Sequence, residues 1–245
     1  MVDVQVRESN RQEEYAVRAD GLWPRIGAAA GLAFVVLQSA ALGFMSSGGW
    51  LDPGASKADI VKAFAGTPPS RLWIGAYLSI LAALCFIPFT ARVVTVLQRA
   101  EGPSGWLSRS ALAGGLLLVA AELGGAGGVN ALLTRAGHDL SSSEAMTLFD
   151  LAQALLFLFW AGGALFLAAS AVLSLKLRAL PRWLGGAAAG IAAVSLIAPA
   201  STQLLHVPAT LFYLWVIAAS IVLMRMPRER HADGRDRSGA TFLTR

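Results

Sequence analysis

The chain has 245 residues, of which 56% are hydrophobic and only 14% charged, whereas a soluble domain of this size carries about 25% charged and about 45–50% apolar residues. That deficit, with the apolar residues gathered into long blocks, excludes an ordinary soluble core. The net charge of +5 does not point to nucleic acid, because the basic residues sit between the blocks and in the tails, where topology selection puts them.

Met1 to Gly21 is polar and mixed in charge, with Arg7, Glu8, Arg11, Glu13, Glu14, Arg18 and Asp20. A cleaved signal would show a short basic region leading straight into an apolar core and a small-residue cleavage site. The first apolar block is therefore expected to be a retained helix, at about 23–44. It opens on Trp23-Pro24-Arg25, with the proline placed in a first turn, where its missing N–H is no loss.

The polar stretch 46–70 follows. Within it Ser56-Lys57-Ala58-Asp59 is a capping-box-like start. Ile60, Val61 and Phe64 then share a face, which predicts a short helix on the membrane surface. The second span is expected at about 71–97 with Pro88 inside it, a kink that membrane helices tolerate. The third is expected at about 111–133. Ser141-Ser142-Ser143-Glu144 is a second capping signature and opens a long fourth span, about 145–175. A tight basic turn with Lys176, Arg178, Pro181 and Arg182 leads to a short fifth span, about 183–198, and the sixth runs from about 207 to 224. The arginine-rich end, 227–245, has the composition of a disordered tail.

The predicted architecture is thus an all-α polytopic bundle of six transmembrane helices over 23–226, between an N-terminal tail (1–22) and a C-terminal one. Of the twenty basic residues, only Lys57, Lys62, Arg71 and Arg135 fall on one side of such a bundle, leaving sixteen on the other. Lys and Arg accumulate on the cytoplasmic side, so both termini are expected there.

Glycines one turn apart, Gly27/Gly31 and Gly186/Gly190, predict close approach of helix backbones, as do Gly124-Gly125 and Gly127-Gly128. The segments Trp23–Gly31 and Pro181–Gly190 look alike, with a fainter version from Trp106. Their unequal spacing favours convergence on a common anchor over three hairpin repeats.

The polar residues inside the apolar blocks are the best lead to a site. Glu122 lies near the middle of the third span, roughly 17 Å from its outer end, where a carboxyl group must be protonated, paired or beside water. Asn130 lies two turns further along the same face. Asp150 and Gln153 sit nearly a turn apart on the next helix, and the antiparallel hairpin should bring Asp150 to the depth of Asn130. Arg71, Gln203 and His206 stand at the same outer end, and Gln38 lies near mid-membrane in the first span. Together they suggest an outward-facing polar pocket with Glu122 at its floor, and the competing reading is a hydrogen-bonded packing network.

Nothing in the sequence calls for a metal or other cofactor. Cys85 stands alone, His138, His206 and His231 form no ligand spacing, and no P-loop or G-x-S-x-G occurs. Ser170 and Ser174 are expected to bond their own helix backbone.

The Trp23-Pro24-Arg25 anchor, the D-P-x-A-S-x-x-D-I stretch (Asp52 to Ile60), the S-x-x-E start at Ser141 and the L-P-R-W-L-G run (Leu180 to Gly185) recur together. In these features the chain resembles the uncharacterised six-helix integral membrane proteins of actinobacteria, of the domain-of-unknown-function type. The resemblance implies a six-helix architecture and a bacterial plasma membrane, and it brings no activity or site residues. The leading functional reading is a non-enzymatic membrane protein that binds a small-molecule or lipid-like ligand, or a membrane-protein partner, through its outer half. A small proton- or solute-coupled transporter using Glu122 comes second, and an enzyme third, because no nucleophile–base pair can be named.

Overall fold

The computed structural model describes residues 2–45, 56, 58–59, 68–135, 142–197 and 206–226. Within these, the side-chain description excludes 2–21, 23, 69, 129–135, 142, 144–145, 148–149, 153 and 206. Among the described residues there are no strands and six long helices. They are α1 (Val2–Met45), α2 (Pro69–Glu101), α3 (Trp106–Arg135), α4 (Ser142–Leu177), α5 (Arg182–Ile197) and α6 (His206–Arg225). All but α5 contain a stretch long and apolar enough to cross a membrane. At 16 residues, α5 is about 24 Å long, short of a bilayer core of roughly 30 Å.

The helices lie over the six apolar blocks but run past their ends, most of all at the N-terminus. There α1 starts at Val2, far ahead of the tryptophan expected to open it. The polar segment before Leu22 has neither glycine nor proline up to Asp20, and Glu14 precedes Arg18 by one turn, the favourable order for a helical ion pair. Pro24 is consequently inside a helix and not in its first turn, where it removes the N–H that the Asp20 carbonyl would accept. In the segment expected to form a surface helix, Ser56 Oγ accepts the Asp59 N–H at 3.3 Å and donates to the Asp59 carboxylate at 2.6 Å. The remainder of that segment, like the C-terminal tail, lies outside the described residues.

Two short turns sit at one end of the bundle, called here the tight-turn end. Between α2 and α3 the chain reverses through Gly102 and Gly105, both at positive φ (82° and 51°), a region open to glycine at little steric cost. The Glu101 carboxylate that ends α2 accepts the N–H groups of Leu107 (2.9 Å) and Ser108 (2.8 Å) and the Ser108 hydroxyl. It thereby satisfies donors that the first turn of α3 would leave open, and it places a negative group at a helix N-terminus. Between α4 and α5, Arg178 takes φ 57° and the Ala179 N–H reaches back to the Leu173 carbonyl at 3.4 Å, a left-handed helix end with arginine in the place glycine usually fills.

Each helix packs on its sequence neighbours and α6 returns to α1, so the six form a closed ring; α2 also touches α4 across it. Glycines set the closest approaches. A Cβ at Gly27 would stand 2.8 Å from Arg92 Cβ, and one at Gly31 would collide with Ser220 Oγ and the Phe89 ring, which locks α1 onto α2 and α6. A Cβ at Gly114 would lie 2.7 Å from the Gly162 carbonyl, so α3 and α4 touch backbone to backbone. Other small residues behave differently from expectation. Gly124 meets Leu155 and Gly128 meets Ala152, but Gly125, Gly127, Gly186 and Gly190 face nothing within 4 Å among the described residues. The Gly186/Gly190 face of α5 meets no other described residue, and α5 is held from its opposite side, where Trp215 of α6 donates its indole N–H to the Leu184 carbonyl at 3.0 Å.

The outside of the ring is apolar. Val36, Leu84, Leu116, Leu158, Leu214 and Ile221 are exposed, spread over α1, α2, α3, α4 and α6 and not gathered in one patch. Among the described residues the exposed tryptophans and tyrosine mark two levels: Trp106 and Trp183 at the tight-turn end, Trp73 and Tyr77 near the other. The Cβ of a residue at Gly115 would meet Thr90. With those two positions level, Tyr77 and Trp73 stand about 33 and 39 Å from Trp106 at 1.5 Å per residue. That separation matches aromatic belts flanking a hydrocarbon core roughly 30 Å thick. The chain is a multi-pass integral membrane protein.

Candidate functional site

The side chain of Glu122 reaches into the ring. On α3 the face carrying Gly115, Val119, Glu122 and Ala126 turns toward α2 and the interior, while Gly114, Leu118 and Gly128 turn toward α4. Gln38 of α1 donates its Nε2 to Glu122 Oε1 at 2.8 Å. Ser79 of α2 hydrogen-bonds the same carboxyl, and Tyr213 of α6 lies within its electrostatic reach. Helix α3 packs on α2 and α4, so a bond to α1 and proximity to α6 require the carboxyl to span the ring interior.

Register explains why these four meet. Gly31 lies against Phe89 and Ser220, and Gly75 against Ala41, which sets α1 antiparallel to α2 and brings Gln38 level with both Ser79 and Tyr213. Glu122 stands about 24 Å along α3 from Trp106, and Ser79 about 3 and 9 Å along α2 from Tyr77 and Trp73. The layer is therefore displaced toward the end opposite the tight turns. Gln38 and Ser79 are nearly inaccessible, at 5% and 4% exposure. Glu122 and Tyr213 retain partial exposure. The Gln38 Oε1 atom is buried without a hydrogen-bond partner among the described residues.

Packed against this layer is an aromatic cluster, three of whose rings (Phe34, Phe86, Phe166) lie on its tight-turn side and one, Phe212, beside Tyr213. Phe34, Phe86, Phe166 and Phe212 come from four helices, and their ring centroids are 4.8 Å (Phe34–Phe86), 5.8 Å (Phe86–Phe166) and 5.9 Å (Phe86–Phe212) apart. Phe34 also stands edge-on to Tyr213 at 5.9 Å. Tilted and edge contacts of this spacing favour aromatic pairs. All four phenylalanines are at or near zero exposure, and Phe34, Phe86 and Phe166 close the tight-turn side of the Glu122 layer.

Of the residues singled out in the sequence, Glu122 and Gln38 are brought together. Asp150 and Arg71 are exposed. Asp150 shares the face of Ala154, Phe157 and Ala161, all exposed, away from the α3 contact made by Leu155 and Gly162. The hairpin register, with Gly128 opposite Ala152, does set Asp150 level with Asn130. The side chains of Asn130, Gln153, Gln203 and His206 lie outside the described residues, so the outer part of the predicted pocket is not described. Ser170 and Ser174 donate to the carbonyls one turn back, of Phe166 and Ser170, at 2.8 and 2.6 Å, as expected of helix-bonded hydroxyls. Among the described residues no group of three His, Cys, Asp or Glu could hold a metal ion. Sequence reasoning missed Ser79 and Tyr213. One serine and one tyrosine in apolar helices give no signal until the register of α2 and α6 is known.

No family model, no curated protein and no solved structure matches the chain.

Proposed function

We propose that this protein is a non-enzymatic binding protein of a bacterial plasma membrane, with both termini in the cytoplasm and a polar site that opens outward at the Glu122 layer. The basic residues, sixteen to four in favour of the tight-turn end and the tails, support that orientation through the preference of Lys and Arg for the cytoplasmic side. The resemblance to six-helix actinobacterial membrane proteins supports the bacterial setting. The observation that carries the functional reading is Glu122, its carboxyl turned inward and bonded to Gln38 at 2.8 Å, the residue still partly exposed. An ionisable group at such depth is a functional candidate by default. Transport coupled to Glu122 is the competing reading. The close-packed phenylalanines speak for binding, because Phe34, Phe86 and Phe166 close the ring on the tight-turn side of the layer.

The test is accessibility. In a Cys85→Ala background, Glu122→Cys in intact cells should react with a membrane-impermeant thiol reagent added outside. Lack of reaction in protein that folds, or reaction only from the cytoplasmic side in inverted vesicles, contradicts an outward site. Proton-linked uptake that is present in the wild type and lost in Glu122→Gln would replace binding by transport.

A further inference from the structure

We infer that the Glu122 layer is a binding site for a small monovalent cation, an assignment that rests on reading this layer as a ligand site. Gln38 carries the argument. Its amide is 95% removed from solvent, its nitrogen is committed to Glu122, and its oxygen is buried with no donor among the described residues. A buried amide oxygen is a penalty until a hydrogen-bond donor or a positive charge meets it. The oxygen belongs to the same amide whose nitrogen holds the Glu122 carboxyl, so a cation bridging the two groups would satisfy the one and balance the other.

The chemistry of the layer selects the ligand. Glu122, Gln38, Ser79 and Tyr213 all offer oxygen, and among the described residues the groups bonded to the carboxyl are neutral ones. Oxygen donors suit hard alkali cations or the N–H groups of an ammonium ion, and they select against soft transition metals. One carboxylate balances one positive charge. The groups that act on it among the described residues, Gln38 and Ser79, include no second acid, so a divalent ion would leave uncompensated charge inside the membrane, where it is most costly. The phenylalanines that close the tight-turn side keep water away from the pair there and strengthen the attraction between them.

The experiment uses the purified full-length protein in detergent. Its thermal unfolding midpoint is measured in sodium, potassium and methylammonium chloride, each against N-methyl-D-glucamine chloride at equal ionic strength. At least one of the three cations is expected to raise the wild-type midpoint saturably by a few degrees through linkage. The contrast between the alkali ions and methylammonium identifies a metal ion or an amine as the occupant. Glu122→Gln should abolish the rise. Tyr213→Phe, which keeps the ring, should raise the half-saturating concentration about tenfold, the effect of one lost contact worth roughly 1.4 kcal/mol. Equal wild-type midpoints in all four salts overturn the assignment whether or not the variants fold, and so does an undiminished rise in folded Glu122→Gln. Thiol labelling at position 122 from outside together with an absent cation response overturns the cation and leaves the outward site standing.

Discussion

Two adjacent layers of the same ring are built on opposite principles. In the aromatic one, Phe34, Phe86, Phe166 and Phe212 interlock at near-zero exposure. Beside them Gln38 and Glu122 share a bond of 2.8 Å, Ser79 and Tyr213 complete the layer, an amide oxygen is left over and two of the four side chains are partly exposed. The first layer fills space. The second leaves polar capacity unused, which a layer serving only to hold helices together has no reason to do. Stability should therefore reside mainly in the aromatic layer and ligand response in the polar one.

Breaking the aromatic layer should have the largest effect. Phe86 touches Phe34, Phe89, Phe166 and Phe212, and Phe86→Ala should lower unfolding free energy by about 2–4 kcal/mol. This is less than the 3–5 typical of soluble cores, because lipid solvates the exposed ring. Denaturant titration in mixed micelles measures it. Gly31→Leu comes next, since its side chain would run into Phe89 and Ser220; a loss of about 1–3 kcal/mol is the usual result of overpacking. Ser79→Ala in the polar layer should cost about 0.6 kcal/mol, the average for a hydrogen bond between membrane helices. Gly186→Leu, on the open face of α5, should stay within about 0.5 kcal/mol of wild type. A loss at Ser79 equal to that at Phe86 would erase the distinction between the layers.

The sequence made the apolar blocks, the short α5 and the proline in α2 legible, because hydropathy over about 20 residues is a strong local signal. It misled where a local motif has two outcomes. Gly27/Gly31 and Gly186/Gly190 follow similar aromatic and basic anchors, yet the first pair is packed against α2 and α6 and the second is open. Which face of a helix meets a neighbour is settled by tertiary register, and no motif records it. The same holds for the site. The depth of Glu122 was readable from its place in the third block, and so was the presence of Gln38 at mid-membrane. The sequence reading grouped Glu122 with Asp150 on α4, the immediate hairpin partner, whereas the carboxyl turns to α1, α2 and α6 and Asp150 is exposed. Ring closure by α6 on α1 is a long-range event that hydropathy does not encode.

The bond that spans the ring between α3 and α1 can be measured alone. In a double-mutant cycle, Glu122→Met, Gln38→Met and the pair are compared by reversible unfolding in mixed micelles. Two groups bonded across the ring interior should show a coupling of about 0.6–2 kcal/mol, with the double variant less destabilised than the two singles predict. Additivity within about 0.3 kcal/mol would contradict an interior Glu122 held by Gln38.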